Sequence, residues 1–459
     1  MYLGSKGYTV PKSSLSDVAQ YKIKRDLTFS PETFASKVMK VPGPQFHIWR
    51  ENANKLYLPR FYAEQHLGEV ECRLPPATRI NVPFKGNIRD QQIPAVESFL
   101  KKGSGLLELP CGFGKTILSL KIVSDLAVKT IIVVHKEFLL EQWVERIAEF
   151  LPTARVGRIQ GTVVDVADKD IVIAMLQSLS MKDYESSTFD GFGLTIIDET
   201  HHIAAEVFCQ ALFKVVTKHM LGLSATMERK DGLSKVFKLF LGEIVYSAQR
   251  EKVDNVVVHK VVFCSDNDPY KTTETNWKGD TQFSAMVRKV CEFAPRNEFL
   301  LRILQHLLTD TRNGQIMLLS QNRSLLDVLY NAITERKIGD VGYYVGGMKQ
   351  TALKKSESCR IILGTFAMAE EALDIKTLTT MVFATSRTDV TQAVGRILRV
   401  KHERPMVVDV VDEHQVFQNQ WAKRASFYKK NGYSVVLSDS KSYPSILPSP
   451  SRKKSAPVF

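Results

Sequence analysis

Short runs of β-branched and other apolar residues recur along this chain, each about five residues long and set apart by longer amphipathic stretches. In the first half they are "TIIVVH" (130–135), "DIVIAML" (170–176), "LTIID" (194–198) and "MLGLSAT" (220–226). Runs that are apolar throughout suit strands buried on both faces, and the spacing between them suits crossover helices, so they predict parallel βαβ units. A polar bridge follows, "SDNDPYKTTETNWKGDTQ" (265–282). The pattern then returns in "QIMLLS" (315–320), "VGYYVG" (341–346), "CRIILGT" (359–365), "TMVFAT" (380–385) and "PMVVDVV" (405–411). The expectation is an α/β protein with two parallel-sheet lobes in tandem, at 76–245 and 291–437, joined by a linker at 246–290. Residues 1–75 interleave basic and aromatic side chains and read as a small accessory domain, either nucleic-acid-binding or a packing layer. The Ser/Pro/Lys-rich stretch 438–459 reads as a disordered basic tail.

Composition narrows the partners. Lys and Arg number 62 against 49 Asp and Glu, a formal charge of +13, which favours a polyanion, nucleic acid above all. The cysteines at 72, 111, 209, 264, 291 and 359 are scattered, with no C-x-x-C pair and no histidines at zinc-finger spacing. That pattern suits free thiols in a reducing compartment and no structural metal. No apolar run nears the roughly 18 residues that span a bilayer, and "MYLGSKGYTVPKSS" lacks the apolar core of a signal peptide. A soluble cytoplasmic or nuclear protein without a membrane partner is expected.

Candidate chemistry begins with "LPCGFGKT" (109–116), set between a strand-like and a helix-like run. A phosphate cradle needs backbone N–H groups pointing inward, a helix N-terminus, a lysine for the outer phosphates and a hydroxyl for Mg²⁺. Pro110, Cys111, Gly112, Phe113, Gly114, Lys115 and Thr116 meet that list, although Leu109 stands where the usual motif has glycine. A plain turn is the alternative. The segment "LTIIDETHHI" (194–203) then ends an apolar strand in two adjacent carboxylates. There Asp198 can hold Mg²⁺ while Glu199 takes a proton from the attacking water. In "DVTQAVGRILR" (389–399), Gln392, Arg396 and Arg399 are spaced by four and three and so share one helical face. Gly395 keeps that face low.

Taken in order, Gly114-Lys115-Thr116, Asp198-Glu199-Thr200-His201 and Gly222-Leu-Ser-Ala-Thr226 resemble motifs I, II and III of superfamily 2 helicases. "ILGTFAMAEEALDI" (362–375) resembles motif V and 389–399 motif VI, while Ile88-Arg89-Asp90-Gln91-Gln92 resembles the adenine-reading element, with Gln92 as the reader. The similarity runs from about residue 80 to 435. It implies two RecA-like lobes sharing one ATP, with Mg²⁺ at Thr116 and Asp198 and Asp374 among the nucleotide contacts. Arg396 and Arg399 would meet the γ-phosphate from the second lobe, positioned by Gln392. It further implies strand-backbone contacts at Lys136, Gln142, Gln177, Ser178, Asn322 and Thr365. His201, Ser224 and Thr226 would couple the ATP state to that grip.

Finer details resemble the branch of XPB, UvsW and the poxvirus transcript-release helicase: "LGLSATMERKDGL" (221–233), "YYVGGMKQTAL" (343–353) and "QAVGRILR" (392–399). Met227 stands where proline is usual after S-A-T, and Ala372 where glycine is usual in E-G-L-D-I. The implied function is an ATP-dependent, monomeric translocase of viral type on DNA forks, branched duplexes or transcription complexes. Partners in replication, recombination or transcription are expected with it. An RNA helicase or RNA–DNA hybrid remodeller is the alternative, and a non-catalytic nucleotide-binding scaffold a third reading.

Overall fold

The apolar runs form the centres of two parallel sheets. The computed structural model describes residues 1–30, 45–110, 112–185, 187–198, 205–225, 233–248, 256–310, 314–371, 375–398, 400 and 402–443. It divides into two units, Met1–Arg250 and Glu251–Phe459.

In the first unit the sheet runs, across its width, Val163–Val164, Val156–Gln160, Ile171–Met175, Thr130–Val134, Leu194–Ile197, His219–Ser224, Gly105–Glu108 and Ile244–Ser247. Every pairing is parallel except that of Val163–Val164 with its neighbour. Because side chains alternate along a strand, the runs feed two layers at once. Ile131 and Val133 belong to one core and Ile132 and Val134 to the other. Such double burial is why these strands carry no polar face.

The N-terminal segment is a packing layer of this unit. Its antiparallel sheet orders Tyr2–Gly4, Gly7–Pro11, Lys55–Leu58 and Arg50–Glu51. Tyr8, Val10 and Leu58 share one buried core with Phe208, Phe213, Phe237 and Phe240. Arg60 donates to the Lys218 carbonyl at 2.8 Å and Arg50 to that of Gln210 at 3.1 Å. Most of the segment's aromatics are therefore spent on packing.

The second unit holds seven parallel strands, ordered Val341–Tyr344, Ile361–Thr365, Gln315–Ser320, Leu378–Phe383, Met406–Asp412, Val257–Phe263 and Ser434–Asp439. Two expected boundaries are corrected by it. Val257–Phe263 lies within the proposed linker, yet it pairs on both sides and is a sheet strand. The polar bridge that suggested a hinge is a loop excursion inside this unit. Ser434–Asp439 runs into the proposed tail as an edge strand, and the chain continues to Tyr443, whose ring is buried. Its one-sided cover explains a polar composition that masked the strand. The rest of the expected tail, 444–459, lies outside the described residues.

One buried group in this sheet carries a pH signature. His259 is 1% exposed, and burial, aided by the charges of Arg404 and His306, pushes its imidazole down to about 4 from 6.5. The folded chain thus refuses a proton that the unfolded chain takes up as pH falls below 6.5, so stability drops on acidification. Between pH 7 and 5 this group should cost on the order of 2 kcal/mol. Urea unfolding of wild type and His259→Phe should show a loss of stability between pH 7 and 5 that is larger in the wild type by about that amount; equal slopes would clear His259 of the effect.

Candidate active site

All strands of a parallel sheet end on one edge, and loops leaving that edge are where α/β proteins place ligands. In the first unit the strand ends deliver Leu109, Lys136, Gln177, Asp198 and Ser224 there. Ser224 is buried, and its carbonyl accepts the Leu109 N–H at 2.8 Å. The start of the glycine loop is therefore pinned to the neighbouring strand.

Gly112 and Gly114 take φ of 81° and 90°, conformations that side chains disfavour. A Cβ on Gly114 would also stand 2.4 Å from Gln92 Nε2 and 2.9 Å from an Arg89 nitrogen. Gly114 caps the Lys115–Leu126 helix with no side-chain bond, which leaves backbone N–H groups at a positive helix end. Lys115 and Thr116 open that helix, half-buried. Phe113 puts its ring into the core and only its backbone into the loop. These features fit a phosphate cradle better than a plain turn, since two left-handed glycines and an N-terminus converge on one loop.

The loop is braced from behind. Gln92 is 1% exposed; its amide donates to the Phe113 carbonyl at 2.7 Å and, more weakly, to that of Gly114 at 3.4 Å, and its oxygen accepts the Arg89 N–H at 2.8 Å. Arg89 donates to the carbonyls of Gly112, at 3.0 Å, and Phe113. Gln92 therefore holds the loop in place of facing an open base site. Arg89 was not assigned a role from sequence, although the same five-residue stretch contains it.

Asp198 sits directly after the Leu194–Ile197 strand, 7% exposed. Its Oδ2 accepts the Trp143 indole N–H at 2.9 Å. Trp143 is buried in the Glu137–Phe150 helix, and no local sequence pattern announces its bond to Asp198. Lys136 caps the same helix and Gln142 lies on it, both half-buried. Gln177 is exposed and donates to the His135 carbonyl at 3.0 Å. Ser178 is a correction. It is buried, its hydroxyl accepts the Gly161 N–H at 3.0 Å, and its carbonyl accepts the Tyr184 hydroxyl, which removes it from any strand-facing surface.

In the second unit, Thr365 ends a strand and Asn322 caps the Arg323–Glu335 helix, its Oδ1 accepting the Leu325 N–H at 3.1 Å. Gln392, half-buried, and Arg396, buried, lie one turn apart in the helix Thr391–Arg396. That helix ends at Arg396; Arg399, the third residue of the expected face, lies outside the described residues. Cys111, Glu199, His201, Thr226, Asp374 and Arg399 lie outside the described residues.

The approach to that helix is held by two buried arginines. Arg296 binds Asp412 through both carboxylate oxygens, at 2.5 and 3.0 Å, and donates to the Ala384 carbonyl at 2.7 Å. Arg424 binds Asp409 at 2.7 and 2.8 Å and donates to Ser386 Oγ at 3.0 Å and to the Arg387 carbonyl at 2.5 Å. Burial opposes both charges, yet the paired carboxylates outweigh it and raise both guanidinium pKa values.

Among the described residues no group of three or more His, Cys, Asp or Glu could hold a metal, and no helix is long and apolar enough to cross a membrane. A hydroxyl at Thr116 and a carboxylate at Asp198 are hard oxygen donors of the kind Mg²⁺ takes.

Residues 85–229 match the family model described as "Type III restriction enzyme, res subunit". The chain is 33% identical over 449 residues to a protein of Acanthamoeba polyphaga mimivirus named "Putative ATP-dependent RNA helicase", which covers 94% of this chain and 85% of that one. It is 26% identical over 394 residues to a protein of African swine fever virus with the same descriptive name, covering 80% and 76%. The crystal structure of T4 UvsW covers 92% of this chain and 96% of its own at 14% identity, with a TM-score of 0.36. On the sequence relationship that spans nearly its whole length, the chain belongs to the superfamily 2 helicases and is an ATP hydrolase.

Proposed function

We propose that this chain is an ATP-driven translocase on DNA, working at forks, branched duplexes or transcription complexes. The observation that supports its nucleotide chemistry best is the braced glycine loop opening the Lys115–Leu126 helix, on the sheet edge that also carries Asp198. In this reading Gly112 and Gly114 turn backbone N–H groups to the phosphates, and Lys115 neutralises the outer ones. Thr116 and Asp198 would hold Mg²⁺, which would supply charge neutralisation to the phosphates. Glu199 takes the proton of the attacking water. Arg396 and Arg399 neutralise the γ-phosphate, positioned by Gln392, and Asp374 contacts the nucleotide. Arg89 and Gln92 set the loop's shape.

Strand grip falls to Lys136, Gln142, Gln177, Asn322 and Thr365, residues whose chemistry suits phosphate oxygens and so tolerates any sequence. The Glu137–Phe150 helix joins grip to catalysis, because it carries Gln142 and, one residue on, Trp143, which holds the Asp198 carboxylate. His201, Ser224 and Thr226 pass the same signal along the sheet edge.

DNA is favoured by the motif VI sequence, "QAVGRILR" in place of the H-R-x-G-R-x-G-R usual in RNA-unwinding relatives. RNA is the second reading, favoured by the names of the mimivirus and swine fever virus relatives. ATPase stimulation by single-stranded DNA, duplex DNA, forked DNA and RNA, compared at one stated salt concentration, separates the two. Stimulation should be greatest with a DNA form; stimulation by RNA alone would replace the DNA reading.

The Trp143 link is tested separately. Trp143→Phe keeps the ring packing and removes the N–H, a bond to a charged group worth about 1.5–3 kcal/mol. Turnover should fall about ten-fold or more, and the Mg²⁺ concentration for half-maximal rate should rise, with strand affinity unchanged. An unaltered Mg²⁺ requirement would reduce Trp143 to packing.

A further inference from the structure

Trp277 is 88% exposed, more than any other large apolar side chain among the described residues. The other three tryptophans are half-buried or buried. Its setting is a projecting loop inside the second unit: from Lys271 to Gln282 every residue is exposed except Asn276.

The loop is braced. Thr275 and Thr281 close it as an antiparallel bridge, and Gln282 donates its N–H to the Glu274 carbonyl at 2.9 Å. Within it, Asn276 Oδ1 accepts the N–H groups of Lys278 and Asp280, both at 2.9 Å. The Asn276 backbone N–H donates to the Asp280 carbonyl at 2.9 Å, and Gly279 supplies the left-handed turn at φ 83°. Lys289 grips the near leg at the Thr272 carbonyl, 2.8 Å away, and at Glu274, 3.0 Å away. Order of this kind costs conformational entropy and places an apolar ring in water, a combination that marks a binding element.

The root of the finger is buried. Tyr270, next to its near leg, donates its hydroxyl to Asp412 Oδ1 at 2.5 Å, and its carbonyl is 2.6 Å from His414 Nε2. Asp412 is the carboxylate that Arg296 holds, and Arg296 also binds Ala384, just ahead of the Thr391–Arg396 helix. A continuous buried network therefore runs from the finger's root to the approach of the helix assigned to the γ-phosphate.

We propose that the 272–282 finger is a base-stacking pin, with Trp277 covering the exposed face of the terminal base pair where two nucleic-acid strands part. The Lys278 ammonium lies 4.7 Å from the ring centroid on one face, and the other face is left for a base. Lys278 stands between Glu274 and Asp280, so the finger has no net positive charge with which to grip phosphates. A flat, uncharged face is what it offers, and stacking uses such a face with any base. The pin deepens the translocase reading and rests on it.

The test uses the full chain and measures affinity for a forked duplex relative to a plain single strand of the same length. Wild type should prefer the fork. In Trp277→Ala that preference should fall about ten-fold, on the 1–3 kcal/mol scale of one base stack, while single-strand affinity and strand-stimulated ATPase stay within about two-fold of wild type. Trp277→Phe should recover most of the preference. An unchanged fork-to-strand ratio, or no preference in the wild type, overturns the pin and leaves Trp277 to a protein partner. Equal losses of fork and single-strand affinity would make the effect structural and also overturn it. Absence of ATPase stimulation by any nucleic acid would be a failure of the translocase reading, visible apart from the ratio.

Discussion

A parallel sheet must release all its strands along one edge, and this constraint organises the first unit. No helix end alone, nor any lone carboxylate, would make a nucleotide site. The Gly105–Glu108, His219–Ser224, Leu194–Ile197 and Thr130–Val134 strands lie side by side, so their departing loops form a row: glycine loop, Ser224, Asp198, Lys136. Neighbouring strands are about 4.8 Å apart, and one strand, His219–Ser224, separates the strand before Asp198 from the strand before the glycine loop. The hydrogen bond from Leu109 to Ser224 and that from Trp143 to Asp198 then fix the row's members to one another.

The second unit solves a related problem with different chemistry. Its Thr391–Arg396 helix is short, and a helix of that length has little stability of its own. Two buried arginine–aspartate pairs hold the segment leading into it, at Ala384, Ser386 and Arg387. Removing one partner of such a pair strands a buried charge, a loss of about 3–5 kcal/mol. The pairs thus give a fixed approach to the helix that carries Arg396. Because Tyr270 shares Asp412 with Arg296, that approach and the Trp277 finger are built on the same carboxylate.

Much of the fold was legible because both sheets are doubly buried: all nine apolar runs read as strands are strands, to within two residues or so at their ends. What escaped was less apolar or locally disguised. Val257–Phe263 alternates around His259 and Lys260 and precedes a polar loop, so it read as linker. Ser434–Asp439 is an exposed edge in a serine-rich stretch. At the candidate site, Lys115, Thr116 and Asp198 stand out in the sequence because the chemistry proposed for them forces a local pattern. Arg89, Trp143, Arg296 and Arg424 act across 15 to 116 positions of sequence, and no local pattern announces such partners. Ser178 failed for the converse reason, since a serine after a strand looks the same whether it faces a strand of nucleic acid or ties down a turn.

The central claim is that ATP turnover needs Arg396 as well as the glycine loop. Turnover at saturating ATP by full-length Arg396→Ala, with ATP affinity measured on the same preparation, addresses it most directly. The account predicts turnover lower by about 10³, the scale of other arginine fingers, with affinity little changed. Wild-type turnover in that variant would mean that ATP is hydrolysed without Arg396.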